Sequence, residues 1–281
     1  MGAHAPTSGG LADGSLSYAD RAGAEAIQIF VTNPRAWRTA PLAAGQAERL
    51  RARVDATGFP VFVHAPYLIN VGSPDPAARE RSAALLGECL SRARLIGARG
   101  VVTHTGSAIT ADRDAGLRRT RETLLPVLDS LGHAGPDLLL EPMAGQGQML
   151  CATIADLDPY LTALDWHPRA ALCLDTCHLF AAGHDLAAPD GAGQVLGELA
   201  KIADGRLRLI HANDSRDGCG SRHDHHVNIG HGRIGEAAFG ALLRHPATAG
   251  VPFVVETPDT GQGQAGDIAI LKRLRDKASG S

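Results

Sequence analysis

Six short apolar runs in this chain each stop on a residue able to bind a metal ion. They are Val61-Phe62-Val63-His64, Val101-Val102-Thr103-His104, Leu138-Leu139-Leu140-Glu141, Leu172-Cys173-Leu174-Asp175, Leu209-Ile210-His211 and Phe253-Val254-Val255-Glu256. A buried parallel strand reads as an unbroken apolar run, so the polar residue closing each run lies where a sheet opens to solvent. Helical stretches separate the runs, and the six endings converge on one mouth if the strands close into a barrel. Glu141, Asp175 and Glu256 would repel one another there unless cations lay between them. The pattern predicts a multi-metal enzyme.

Two further runs complete a set of eight: a short start ending near His4, and Ala26–Phe30. Helical periodicity marks Ala77–Ile96, Arg113–Leu131, Gly193–Ile202 and Asp267–Lys277, and Gly97, Gly132 and Gly205 stand where helices are expected to stop. Eight βα units in about 250 residues is the arithmetic of a TIM (β/α)8 barrel, whose active sites lie at the C-terminal ends of the strands. A doubly wound sheet is the runner-up, but it would gather ligands from only a few strands at a switch point. Without a linker or a break in composition, residues 1–281 are expected to form a single domain, with a frayed tail over Ala278–Ser281.

Bulk properties narrow the class further. Hydrophobic residues make up 44% of the 281, ordinary for a globular protein. The net charge of −3 excludes a basic coat, so any polyanionic partner must be met by a local positive patch. Among the cations only Lys201, Lys272 and Lys277 are not arginine. The five cysteines, Cys89, Cys151, Cys173, Cys177 and Cys219, form no CxxC pair, which suggests reduced thiols. The start, Met1-Gly2-Ala3-His4-Ala5-Pro6, has no basic and apolar signal segment. No apolar run approaches the roughly 18 residues a membrane span needs. The expectation is a cytoplasmic protein, and nothing argues against a monomer.

Two more constellations point at the same mouth. In Asp175-Thr176-Cys177-His178 a strand gives way to a short helix, so His178 can turn back towards the strand ends. In Gly220-Ser221-Arg222-His223-Asp224-His225-His226, alternate residues of an extended backbone face the same way, so Asp224 and His226 suit one ion. His223 and His225 then face away and read as solvated, and His133, His167, His184, His231 and His245 carry no signal. His4 is left out of the ligand set, on the barrel floor or near the site. Gly230-His231-Gly232-Arg233-Ile234-Gly235 contains G-x-G-x-x-G, but it follows a polar loop rather than a strand, and the dinucleotide reading is rejected.

In this order the motifs resemble the endonuclease IV family of metal-dependent apurinic/apyrimidinic endonucleases over nearly the whole chain. The resemblance rests on Gly2-Ala3-His4, Gly9-Gly10-Leu11, Asn33-Pro34-Arg35-x-Trp37, His64-Ala65-Pro66-Tyr67-Leu68-Ile69-Asn70 and Glu141-x-x-Ala144-Gly145-Gln146-Gly147. It continues through Asp175-Thr176-Cys177-His178, His211-x-Asn213-Asp214-Ser215, Asp224-x-His226-x-x-Ile229-Gly230 and Glu256-Thr257. The departures are Thr105 after His104 where proline is common, Pro142 after Glu141 where asparagine is common, and His225 where arginine is usual. At that last position the resemblance implies a phosphate contact made by arginine, and this chain offers His225 instead.

The resemblance implies a TIM barrel carrying three zinc ions, with manganese or iron able to replace some. His64, His104 and Glu141 would hold the first; Glu141, Asp175, His211 and Glu256 the second; His178, Asp224 and His226 the third. It also implies cleavage of double-stranded DNA 5′ to abasic sites, removal of blocking groups from 3′ ends, and lesion contacts from Arg35, Tyr67 and Leu68. Phosphodiester hydrolysis needs an activated water, neutralised oxygens and a stabilised leaving group, which clustered divalent ions supply. Glu141, shared by two ions, is the expected catalytic centre. A sugar isomerase or epimerase on a related barrel could use Glu141, Asp175, His211 and Glu256 but has no use for the third set. A non-catalytic scaffold is disfavoured because structural zinc is closed off from solvent.

Overall fold

The computed structural model describes residues 1–109, 112–203 and 205–279, the side chains of 278 and 279 excepted. Ten strands occur among the described residues: β1 Gly2–His4, β2 Ala26–Ile29, β3 Val61–His64, β4 Gly100–His104, β5 Asp137–Glu141, β6 Ala170–Asp175, β7 Leu207–His211, β8 Asp214–Ser215, β9 His226–Val227 and β10 Phe253–Val255. Eight of them close into an all-parallel barrel in the order β1-β10-β7-β6-β5-β4-β3-β2. The expected TIM barrel is the fold observed. Helices cover its outside, among them Asp13–Ala22, Pro76–Leu95, Arg113–Asp129 and Gly191–Ala203.

Strand periodicity aims the six terminal residues. Successive side chains on a strand point to opposite faces, so a residue and the one two before it share a face. Phe62, Val102, Leu139, Cys173, Leu209 and Val254, with Ala171, form a small buried cluster separate from the main core. Each of those six lies two positions before His64, His104, Glu141, Asp175, His211 or Glu256. The cluster fills the barrel interior, and the six polar residues form the next layer up on the same axis. The intervening residues Val61, Val63, Val101, Leu138, Leu140, Leu172, Leu174, Ile210, Phe253 and Val255 pack outward into the larger core. Burying such a side chain stabilises the fold by about 1.5–3 kcal/mol. The two apolar layers therefore hold the polar layer at the mouth.

Pairing register sets the level of the mouth. His104 lies opposite Glu141 on the neighbouring strand, and Asp175 lies opposite His211. Gly100, on β4, keeps the interior narrow, since a Cβ there would meet Leu139 at 2.8 Å.

Several boundaries depart from expectation. β2 ends at Ile29 and β10 at Val255, so Phe30 and Glu256 stand just beyond their strands. The helices Asp13–Ala22 and Gln46–Thr57 escaped the periodicity reading because they bury little: Ser15 and Ala19 in one, Gln46 and Leu50 in the other. Leu157–Ala163 and Glu236–Arg244 were missed as well. The long loop after β7 contains a small antiparallel hairpin, Asp214 opposite Val227 and Ser215 opposite His226. Of the expected frayed tail, the last two residues and the side chains before them lie outside the described residues. No helix among the described residues is long and apolar enough to cross a membrane.

Candidate metal centre

A cavity of about 450 Å³ opens at the C-terminal ends of the barrel strands, with His64, His104, Glu141, His178, Asp224, His226 and Glu256 in its walls. Glu141 sits at the centre, 1% exposed, and its two oxygens face different partners. Oε2 is 3.4 Å from His64 Nε2 and 3.6 Å from His104 Nε2. Oε1 is 2.9 Å from His211 Nδ1. One carboxylate thus belongs to two groups of donors at once.

His211 Nδ1 also lies 3.3 Å from Glu256 Oε2 and 3.9 Å from Asp175 Oδ2. A third group gathers on the far side: His178 Nε2 is 3.2 Å from Asp224 Oδ2, and His226 Nε2 is 3.0 Å from Asp224 Oδ1. His226 Nε2 lies 3.4 Å from Asp175 Oδ2, so Asp175 stands between the second and third groups. Asp175 also caps the helix Thr176–Ala181, accepting the His178 N–H at 2.9 Å. That cap starts the helix at the strand end and turns His178 back over the mouth, as the sequence suggested.

Hydrogen bonds at the rear of the rings decide which nitrogens face inward. His64 Nδ1 is 2.7 Å from the carbonyl oxygen of Ala65, and His178 Nδ1 is 3.0 Å from that of Pro142. A carbonyl only accepts, so both Nδ1 atoms carry hydrogen and a neutral ring turns an Nε2 lone pair towards a carboxylate. Lone pair against carboxylate is repulsive unless a proton or a cation intervenes. Glu141 Oε2, His178 Nε2 and His226 Nε2 are all buried without a hydrogen-bond partner among the described residues. Orphaned buried polar atoms are rare and call for an explanation. Nitrogen and carboxylate donors converging within 3–4 Å fit borderline divalent cations such as zinc.

In the absence of cations, protons take their part. Burial alone would lower the pKa of His178, but the charges of Asp175, Asp224 and Glu141 outweigh it and raise the group to about 10. The same balance, burial against Asp175 and Asp224, takes His226 to about 9. Burial would raise Asp224, yet the rings of His178 and His226, once protonated, hold it below the ordinary carboxylate range. Glu141 is likewise held low against its burial, chiefly by His211. His104 goes the other way: burial outweighs Glu141 and lowers it to about 4.

All nine residues singled out as metal ligands therefore meet at the mouth of the barrel. Asp175 and Glu256 join through their contacts with His211. Cys173, read as a strand residue, comes within ligand range of Glu141 and His211, but burial pushes its thiol up to about 12. His223 and His225 are exposed but not merely solvated: His225 Nδ1 meets Asp217 Oδ2 at 2.5 Å, and His223 Nδ1 lies 3.9 Å from the same oxygen. His4 stands in the cavity wall rather than on the barrel floor, its Nδ1 2.9 Å from Glu256 Oε1.

The sequence reading gave no role to Gln28 or Asn213. Asn213 donates to Asp175 Oδ2 at 2.6 Å and accepts the Glu256 N–H at 2.8 Å, bracing two of the carboxylate positions. Arg35 is exposed in the loop after β2. Tyr67, 54% exposed, lies edge-on to Phe30 with 5.5 Å between ring centres and stands 5.6 Å from His64. Leu68 is half-buried beside it. The Tyr67 N–H donates to Pro34 O at 3.2 Å, tying the two loops together at the rim.

Comparison with known proteins bears on this arrangement. A family model described as a xylose isomerase-like TIM barrel matches residues 16–275. "Probable endonuclease 4" of Streptomyces coelicolor is 53% identical over 279 residues, covering 98% of this chain and 95% of that protein. The crystal structure of endonuclease IV from Thermus thermophilus superposes with a TM-score of 0.82 at 34% identity, covering 94% of each chain. A D-tagatose 3-epimerase-like protein shares the fold at a TM-score of 0.73 but only 19% identity, over 95% of this chain and 94% of that one. By sequence along its whole length and by fold, this chain belongs to the endonuclease IV family, within the xylose isomerase-like TIM barrels.

Proposed function

We propose that this chain cleaves the DNA phosphodiester bond 5′ to abasic sites, leaving 3′-hydroxyl and 5′-deoxyribose-phosphate ends. It also clears blocked 3′ ends, in base-excision repair. The observation that carries the reading is the division of nine donors into three groups around Glu141, with buried atoms left unpaired in the first and third. His64, His104 and Glu141 would hold one divalent ion; Glu141, Asp175, His211 and Glu256 a second; His178, Asp224 and His226 a third. The ions are chiefly zinc, with manganese or iron able to substitute. Bound there, they supply Lewis acidity, an acidified water and neutralisation of phosphoryl charge. Glu141, with Oε2 towards His64 and His104 and Oε1 towards His211, would serve both the first and the second group. Arg35, Tyr67 and Leu68 present themselves to the duplex from the rim. The chain acts as a single barrel domain, a cytoplasmic monomer.

An epimerase also fits the barrel and the second group, but it leaves His178, Asp224 and His226 without a task. Incision of a labelled duplex containing one tetrahydrofuran abasic site, beside the same duplex intact, tests the choice. Metal-loaded protein should cut only the abasic duplex, 5′ to the lesion, and lose that activity on chelation. No incision by protein of confirmed metal content would defeat the proposal.

A further inference from the structure

Gln28 lies wholly buried on β2, flanked by Ile27 and Ile29. Its amide touches two second-group residues, Glu256 just past β10 and His211 at the end of β7. Nε2 is 2.6 Å from Glu256 Oε1, and Oε1 is 2.9 Å from His211 Nε2. An ionised carboxylate only accepts, so the amide nitrogen must face Glu256 and the oxygen must face His211. The opposite orientation would set two acceptors 2.6 Å apart. His211 must therefore carry its hydrogen on Nε2.

Two consequences follow at the cavity. With Nε2 protonated and held by Gln28, His211 Nδ1 is the nitrogen whose lone pair is left for an ion. It is the nitrogen that faces Glu141 Oε1, Glu256 Oε2 and Asp175 Oδ2 at 2.9, 3.3 and 3.9 Å. Glu256 is sorted in the same way. Its Oε1 accepts from Gln28 and from His4 Nδ1, 2.9 Å away, which leaves Oε2 to the donor group.

We propose that Gln28 is a positioning residue of the second ion site, fixing which nitrogen of His211 and which oxygen of Glu256 serve as ligands. The proposal rests on the three-ion reading above. Partners of this kind fix the ring tautomer and orientation, and their loss typically costs about 10–100-fold in metal affinity or activity. Gln28 reaches two ligands at once, so its removal should loosen one ion selectively.

The test is chelator competition on metal-loaded wild type, Gln28→Leu and Gln28→Met, followed by elemental analysis of what remains bound. Wild type should release its ions slowly. Each variant should yield one ion about 10–100-fold more readily, while keeping the other two as wild type does. Release identical to wild type would overturn the proposal and leave the three-ion reading standing, whereas metal-free wild type would remove that reading and this one with it. Should both variants fail to fold, long-range proton–nitrogen correlation on the metal-loaded wild type decides. His211 should carry its proton on Nε2, and a proton found on Nδ1 would refute the assignment.

Discussion

The imidazole of His178 donates from Nδ1 to the carbonyl oxygen of Pro142 at 3.0 Å, leaving Nε2 to face Asp224. The contact is made by backbone, so the proline in place of the asparagine common in the family costs the third group nothing. An ion held by that group would separate a three-ion nuclease from a barrel built for sugar chemistry.

Metal content follows from this. Purified protein should contain about three divalent ions per chain, chiefly zinc, as nitrogen and oxygen donor sets of this kind favour. Replacing Asp224 and His226 together with alanine should lower the content by one ion without emptying the others. Elemental analysis that finds a single ion, unchanged by the double replacement, would instead favour the epimerase reading.

The raised pKa values of His178 and His226, about 10 and about 9, give the metal-free protein a defined pH response. Both lie above the unfolded value of 6.5, so the folded state binds protons more tightly than the unfolded one. Their stabilisation is complete below about pH 6.5 and disappears as pH rises through 9 to 10. The melting temperature of stripped wild type should exceed that of stripped His226→Gln by most below about pH 6.5, and the gap should close by about pH 10. A gap that widens with pH would contradict the sign. Metal binding near neutral pH should also release protons from these two rings, measurable by calorimetry in buffers of differing ionisation enthalpy.

Glu141→Gln keeps the shape of the side chain and removes the charge facing His64 and His104 on one side and His211 on the other. Turnover on abasic duplex should fall at least about a hundredfold, as on loss of a catalytic electrostatic group. Near-normal turnover with full metal occupancy would exclude Glu141 as the shared carboxylate.

How much of this was legible depends on which layer a residue occupies. The ligand layer was readable because a buried strand ending in His, Asp or Glu breaks an apolar run, and the period of two then aims that residue at the axis beside Phe62 or Leu139. Gln28 interrupts a strand in the same way, but at its middle, and no local signal says that it meets Glu256 from the other end of the chain. His4 was ambiguous for the same reason: its role depends on closure of β1 against β10, a contact between chain ends. Asn213 stood in a quoted motif, yet only the pairing of β6 with β7 brings it to Asp175. The hairpin of β8 and β9 is two residues per strand, too short for any periodicity, and the segment that follows it folds back onto Asp214. Asp214 accepts the N–H groups of Gly230, Gly232 and Ile234, and a Cβ on Gly232 would strike its carboxylate at 2.3 Å. Such close backbone approach cannot be read from the sequence of the loop.

For an acidic chain to engage a lesion, contacts must come from a few side chains at the rim. Tyr67 and Leu68 follow β3 at the rim of the cavity, with Arg35 on the adjoining loop and the two loops joined through Tyr67 N and Pro34 O. Tyr67 exposes half of its ring while Phe30 and His64 support it from below, a placement suited to a rigid wedge. Inserted side chains replace lost stacking, and unstacking costs a few kcal/mol, least where a base is already missing. Replacing Tyr67 and Leu68 with alanine should therefore weaken binding to abasic duplex far more than binding to intact duplex. The salt dependence of both should be unchanged, because neither residue neutralises a phosphate. Arg35→Ala, in contrast, should flatten the salt slope if its exposed guanidinium meets the backbone. Titrations of both duplexes at several ionic strengths read all three effects together, and equal weakening on the two duplexes would return Tyr67 and Leu68 to ordinary loop packing.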